Sequence, residues 1–186
     1  MWQYLGGRNM RHTLIILLLL LSPAVHHASA AGFGANPAQD AFDSVFSADV
    51  HRVTAGRDPK AVVELAARML ATARESKSQP AFQGVLCEKA YELAAPYPAG
   101  QALAVEAMTL LAACVPEKAL QSADSIAELR QRQFEAARGE DRAKAGEAVL
   151  DALLKAADLR VQAGAVADAA AGYKRAQGNS GDRKFG

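Results

Sequence analysis

Helix-start signals recur at short intervals along this chain and constrain its fold more than any other feature. Asn36-Pro37 and Asp58-Pro59 each place a helix-capping side chain before a proline suited to the first helical turn. Ser78-Gln79-Pro80 and Pro116 repeat the proline start, and Pro96-Tyr97-Pro98 closes a segment, because proline lacks an N–H group and clashes with the preceding turn. Helix-start and helix-end signals spaced this closely predict a succession of short helices.

Apolar residues inside these segments recur at spacings of three and four, which is the period of an α-helix with one buried face. Phe42, Val45, Phe46, Val50 and Val53 show the pattern in the first segment. No segment alternates with period two between turn signals, so no strand is predicted. The sequence predicts an all-α fold of about seven helices: 37 to about 56, 59 through an apolar stripe that reaches Ala73, 80 to about 95, about 100 to 114, 116 to about 138, 141 to about 162, and one after Gly164 to about 177.

The packing faces of these segments are rich in alanine, which favours helix formation and lets neighbouring helices approach closely. The stretch "QAGAVADAAAGYKRA" from Gln162 is the clearest case. Gly164 marks a tight turn, and Ala169, Tyr173 and Ala176 follow on one helical face. We expect Tyr173 to be largely buried between the sixth and seventh helices, and Arg160 to lie on an exposed edge.

This small–aromatic–small spacing after a glycine turn resembles a tetratricopeptide repeat (TPR), a helix–turn–helix unit of about 34 residues. A weaker unit of the same scale is "VLCEKAYELAAPYPAGQALAVEAMTLLA". Residues 53–176 are also similar to helical-repeat segments of exported bacterial proteins of the planctomycete type, through stretches such as "DALLKAADLRVQAGAVADAAAGYKRA". The resemblance implies stacked antiparallel helical hairpins, that is, a TPR-like α-solenoid.

The first thirty residues have the anatomy of a secretory signal peptide. Arg8 and Arg11 precede an apolar run, and the small residues Ala28 and Ala30 form a cleavage site before Ala31. The uninterrupted apolar run is about half of the roughly 20 residues that a membrane span needs, so we expect no stable anchor after cleavage. The predicted organisation is a signal peptide at 1–30, a helical-repeat domain at 31–177 and a disordered tail at 178–186, in an exported protein, periplasmic or secreted.

Removing the leader takes away two arginines and no acid, so the formal charge changes from +1 to −1. A nucleic-acid partner would favour a basic face, and none is expected. Cys87 and Cys114 fall on consecutive antiparallel helices with an axial offset of roughly 10 Å. Because a disulfide needs Cα atoms within about 7 Å, we expect two small buried hydrophobic residues instead of a bridge.

Motifs that carry catalysis or metal binding are not found. His51 is the one histidine after the leader, which leaves no H-E-x-x-H site, and there is no G-x-S-x-G, S-x-x-K, Walker A or C-x-x-C motif. Glu140 and Asp141 suit a helix N-terminus, where acids interact favourably with the helix dipole. The charges Glu128, Arg130, Arg132, Glu135 and Arg138 are interpreted as a solvated, salt-bridged face. No catalytic, cofactor or metal residue is predicted.

The leading hypothesis is therefore an exported, non-enzymatic scaffold that holds a protein or peptide on its repeat surface. Lys155, Asp158 and Arg160 are the candidate partner-binding residues. One alternative is a small extracytoplasmic enzyme with a non-standard thiol or carboxylate site. Another is a truncated member of a longer multidomain family.

Overall fold

Seven α-helices follow one another along residues 36–181, the part of the chain that the computed structural model describes; side chains are described as far as residue 178. This part contains no strand, so the all-helical prediction is confirmed. Single 3-10 turns at Pro98–Gly100 and Pro116–Lys118 precede the fourth and fifth helices. In chain order the helices are α1 (Pro37–Gly56), α2 (Pro59–Glu75), α3 (Pro80–Ala94), α4 (Gln101–Cys114), α5 (Ala119–Ala136), α6 (Glu140–Gln162) and α7 (Val166–Gly181).

The capping residues act as their sequence context predicts. The Asn36 side chain accepts hydrogen bonds from the N–H groups of Ala38 and Gln39, at 3.2 and 3.4 Å. Asp58 accepts one from the N–H of Lys60 at 3.0 Å. Each cap satisfies a backbone donor that has no partner inside the helix, which fixes where α1 and α2 begin.

A glycine turn separates α6 from α7, as predicted. Gly164 has φ 77°, a left-handed conformation that favours glycine. Ala165 donates its N–H to the Arg160 carbonyl at 2.8 Å and Gly164 donates to Val161 at 3.0 Å, which is the hydrogen-bond pattern of a Schellman motif. The motif closes α6 and turns the chain back along it.

The far end of α7 differs from the sequence prediction. The helix continues to Gly181, four residues past the predicted end at Gln177. The prediction stopped there because glycine, asparagine and serine follow, which are weak helix formers. Residues 182–186 of the predicted tail lie outside the described residues, and so does the predicted leader with Ala28 and Ala30.

Each helix packs on the next from α1 to α7, and α1 also contacts α3 while α2 also contacts α4. The main cluster of buried hydrophobic residues lies among the first helices and reaches Leu129 on α5. Phe42 and Phe46 stack on each other with ring centroids 5.6 Å apart. Val45, predicted to face inward, is 61% exposed instead, because the buried stripe of α1 is narrow and follows Phe42, Phe46 and Val53. The fully buried large side chains are Leu65, Met69, Leu70, Leu86, Leu111, Leu129 and Val149.

Candidate functional site

A groove of about 700 Å³ lies along α6, between α5 and α7. Small or apolar residues from all three helices line its floor: Ala127, Leu153, Ala156 and Gly172. Charged residues surround that floor: Asp124, Glu128 and Arg132 from α5, Arg160 from α6, and Asp168 and Arg175 from α7, beside Gln131. We call this the α6 groove.

Close helix approach on the α7 side forms one wall of the groove. Ala169 and Ala176 are each 1% exposed, and Gly172 between them is also buried. A Cβ atom added at Gly172 would lie 3.1 Å from the Cβ of Ala157 on α6, which is tighter than ordinary van der Waals contact. With hydrogen and methyl groups at the contact, the two helices touch without large side chains.

On the α5 side of the groove, an ion pair links α6 to α5. Arg160 on α6 donates to Asp124 on α5 at 2.7 Å. The Arg160 side chain is only 22% exposed, so the expected position on an exposed edge is wrong. The guanidinium group is held there because the neighbouring helix supplies a carboxylate within reach, a pairing that the spacing along α6 alone does not reveal.

The charges of the groove are separated along its length. The Asp124–Arg160 pair marks one end, and the Gly172–Ala157 contact fixes how α7 lies along α6. At 1.5 Å per residue, Asp168 falls toward the Arg160 end. Arg132 and Arg175 fall toward the Leu153 end, roughly 10–12 Å away. One end therefore carries two aspartates around a paired arginine, and the other carries two arginines that have no ion pair among the described side chains, while Glu128 lies midway between the ends.

The three residues predicted to bind a partner do not share one surface. Arg160 lines the α6 groove, whereas Lys155 and Asp158 are exposed and lie outside it. Asp158 accepts a hydrogen bond from the Tyr173 hydroxyl at 2.5 Å. The structure thus brings Arg160 together with Asp124, and Asp158 together with Tyr173.

Tyr173 is half-buried at the edge of the α6–α7 contact, so the prediction that it is largely buried is wrong. The residue buried in that contact is its neighbour Gly172, because a ring does not fit where the helices touch at Ala157. The hydrogen bond to Asp158 raises the pKa of the Tyr173 hydroxyl, with smaller contributions from burial and from the carboxylate charge. The predicted burial of Ala169 and Ala176 on either side is confirmed.

The two cysteines are free and their thiols are close neighbours. The axial offset predicted for Cys87 and Cys114 compared only their backbone positions and did not include the direction of their side chains. Since Cα–Cβ bonds point toward the N-terminus of each helix, the thiols of an antiparallel pair converge. Burial raises the pKa of Cys87 to about 12, and the nearby Cys114 adds to the shift. Burial also raises the pKa of Cys114, which is opposite to the shift of a reactive thiol.

The other candidate chemical groups are placed as follows. His51 is exposed and lines a smaller depression of about 240 Å³ between α1 and α3. Glu140 and Asp141 are exposed in the first turn of α6. Within residues 36–181 no group of three or more histidine, cysteine or acidic side chains is arranged to hold a metal ion.

Most charged residues of the α6 groove were not recognised as a site from the sequence. Glu128 and Arg132 were interpreted as part of a solvated, salt-bridged run, but neither makes a salt bridge among the described residues. One signal was available. Asp124, Glu128 and Arg132 are spaced by four and share a face of α5, and Asp168 and Arg175 share a face of α7. The spacing within each helix could not show that the charged face of α5 and the charged face of α7 lie on opposite sides of one groove.

Comparisons with protein-family models, with curated proteins and with solved structures find no match to this chain. Among the helices of residues 36–181, none combines the length and the apolar character needed to cross a membrane.

Proposed function

We propose that this chain is an exported helical-repeat protein of the binding class, in which the helices form TPR-like stacked antiparallel hairpins. Two features support this class. From α2 to α7 each helix packs mainly on its neighbours in sequence, as in repeat stacks, and the α6–α7 hairpin uses small residues around a glycine turn.

Within that class, we propose a non-enzymatic scaffold that holds a peptide or a segment of a partner protein in the α6 groove. The observation that carries this function is the groove itself, with an apolar floor and charged residues on three helices. Its volume of about 700 Å³ is comparable with the roughly 300–1,000 Å³ of small-molecule sites, so it has room for several side chains of a bound segment. Arg132 and Arg175 make no ion pair among the described residues, so their charges are free to contact a ligand.

Selection from a random peptide library tests this function. Leu153→Lys places a charge on the floor of the α6 groove, while Leu154→Lys is a matched control at a 36% exposed position on the same helix. We expect selected peptides to bind the wild type and Leu154→Lys, and to lose binding to Leu153→Lys. Equal binding to both variants, or no enriched peptide, counts against the groove as the binding site.

Export is tested by sequencing the N-terminus of the protein recovered from an extracytoplasmic fraction. The expected sequence begins AGFGANP, after cleavage between Ala30 and Ala31. A membrane-bound form that starts at Met1 or Met10 would show an anchor instead.

A thiol titration tests the non-enzymatic part of the proposal. With a pKa of about 12 instead of 9.0, Cys87 has about 1,000-fold less thiolate at neutral pH than an unperturbed thiol. We expect both cysteines to react slowly in the folded protein and quickly after denaturation. A fast-reacting thiol in the folded state would favour the rival hypothesis of a thiol enzyme.

A further inference from the structure

The walls of the α6 groove restrict the backbone conformation of its occupant. All three walls are α-helices, whose backbone N–H and C=O groups are already paired along the helix. The groove therefore offers no strand edge to which an extended peptide could add. A peptide that buries its backbone there must satisfy its own hydrogen bonds, and an α-helix does so.

The floor of the groove fits this requirement. Ala127, Ala156 and Gly172 are small, and Leu153 is the one bulky apolar residue among them. Small residues allow a further helix to approach α6 closely, with α5 and α7 on either side. From Leu153 to Arg160 the floor is about 10 Å long at 1.5 Å per residue, which matches two helical turns of a ligand. A helix in this position would complete a four-helix arrangement.

The charges of the groove favour one direction for that helix. A helix carries partial positive charge at its N-terminus and partial negative charge at its C-terminus. The N-terminus suits the end with Asp124 and Asp168, and the C-terminus suits the end with Arg132 and Arg175. Carboxylates in the last turn of the ligand would add ion pairs with both arginines.

We propose that the α6 groove binds an amphipathic α-helix of a partner protein, running parallel to α5 and α7, with acidic side chains in its last turn. This inference rests on the proposed binding function of the groove and adds to it the conformation, direction and charge pattern of the ligand.

Two synthetic peptides of about 16 residues, long enough to form helix, test the direction. Both carry the same alanine and leucine stripe. The first has lysines in its first turn and glutamates in its last, and the second has these charges exchanged. The second is the better isolated helix, because its charges suit its own dipole. A preference for the first therefore cannot come from intrinsic helicity. We expect the first peptide to bind the wild type at least about fivefold more tightly, by calorimetry or fluorescence anisotropy.

Reversing the positive end of the groove should remove the preference. Arg132→Glu combined with Arg175→Glu is expected to bind the two peptides about equally, because both ends of the groove then carry acidic side chains. Lys174→Glu is the matched control, because Lys174 is the exposed neighbour of Arg175 and does not line the groove. It should keep the wild-type preference. Thermal melts confirm that the variants are folded, which is expected because Arg132 and Arg175 are exposed.

The outcomes separate this inference from the proposed function. Equal binding of the two peptides to the wild type, or a preference that survives the double charge reversal, overturns the inference and leaves the groove as a binding site. The same holds if neither designed peptide binds while library peptides bind in a groove-dependent manner. If library peptides fail as well, both proposals fail.

Discussion

The first four helices and the last two bury different kinds of side chain. Helices α1–α4 enclose leucine, methionine and phenylalanine, with Leu65, Met69, Leu70, Leu86 and Leu111 at most 2% exposed. On α6 and α7 the buried residues are alanine and glycine with one valine, Val149, and none of them belongs to the main cluster. Leu129 on α5 is the last large member of that cluster.

This difference explains where the groove lies. Large side chains fill the space between neighbouring helices, and α1 covers α3 as an additional layer. Small side chains bring two backbones together but do not fill the space beside them. Within residues 36–178, whose side chains are described, the floor of α6 between α5 and α7 is therefore left uncovered. Helices α1–α4 therefore enclose a hydrophobic core, whereas α6 and α7 pack by close backbone contact and leave an open surface beside that contact.

The largest effect is expected from truncating the same residue type in each region. Leu70→Ala, at a 0% exposed position, should destabilise the protein by about 3 kcal/mol, within the usual range of about 2–5 for buried leucine. Leu153→Ala, on the partly open floor of the groove, should cost under about 1 kcal/mol because little area is lost. Urea denaturation of both variants measures the difference, and equal costs would mean that the groove is filled in solution.

The second prediction adds volume where the helices touch. Gly172→Val should destabilise by about 1–3 kcal/mol through overpacking against Ala157. Gly178→Val is the matched control, since a Cβ there meets nothing within 4 Å, and should change the stability by at most about 0.5 kcal/mol.

The double variant Gly172→Val with Ala157→Gly removes the opposing methyl group and should recover part of the loss, because the two residues are in contact. Thermal melts decide the matter. If Gly172→Val is as stable as Gly178→Val, then α7 does not rest on α6 as closely as described.

A buried hydroxyl on α5 provides the third prediction. Ser122 is fully buried and its Oγ has no hydrogen-bond partner among the described residues. Ser122→Ala removes a polar atom that costs free energy when buried, and is expected to raise the stability by up to about 1 kcal/mol. Ser125→Ala, at a half-buried site on the same helix, is the control. A clear destabilisation by Ser122→Ala would show that the hydroxyl has a partner in solution.

The smallest effect concerns the edge of the α6–α7 contact. Because the bond to Asp158 raises the pKa of Tyr173, it favours the neutral phenol. Its contribution to stability is complete below the ordinary tyrosine value near 10 and is lost as the pH rises through the higher folded value. Spectrophotometric titration should show a tyrosine that ionises late, that moves toward 10 in Asp158→Ala and that is missing in Tyr173→Phe. An unchanged curve in Asp158→Ala would show that the bond does not form.

Local chemistry made the helices predictable from the sequence. Asparagine and aspartate side chains cap the helix that follows them, as Asn36 and Asp58 do here. Glycine adopts a left-handed conformation at little cost, as at Gly164. Periodic apolar residues indicate which segments are helical. These effects act within a few residues, so the all-helical class, the starts of α1 and α2 and the turn before α7 followed from the sequence alone.

The tertiary structure decided everything that depends on how each helix is rotated and aligned against its neighbour. Gly172 occupies the buried position expected of Tyr173, Arg160 pairs with Asp124, and Cys114 lies near enough to Cys87 to affect the pKa of its thiol. The α6 groove exists because residues on three helices turn toward one another. A change of one residue rotates a helical face by about 100°. The rotation of each helix is set by the side-chain volumes of both helices that pack together. The sequence of one helix alone does not contain this information.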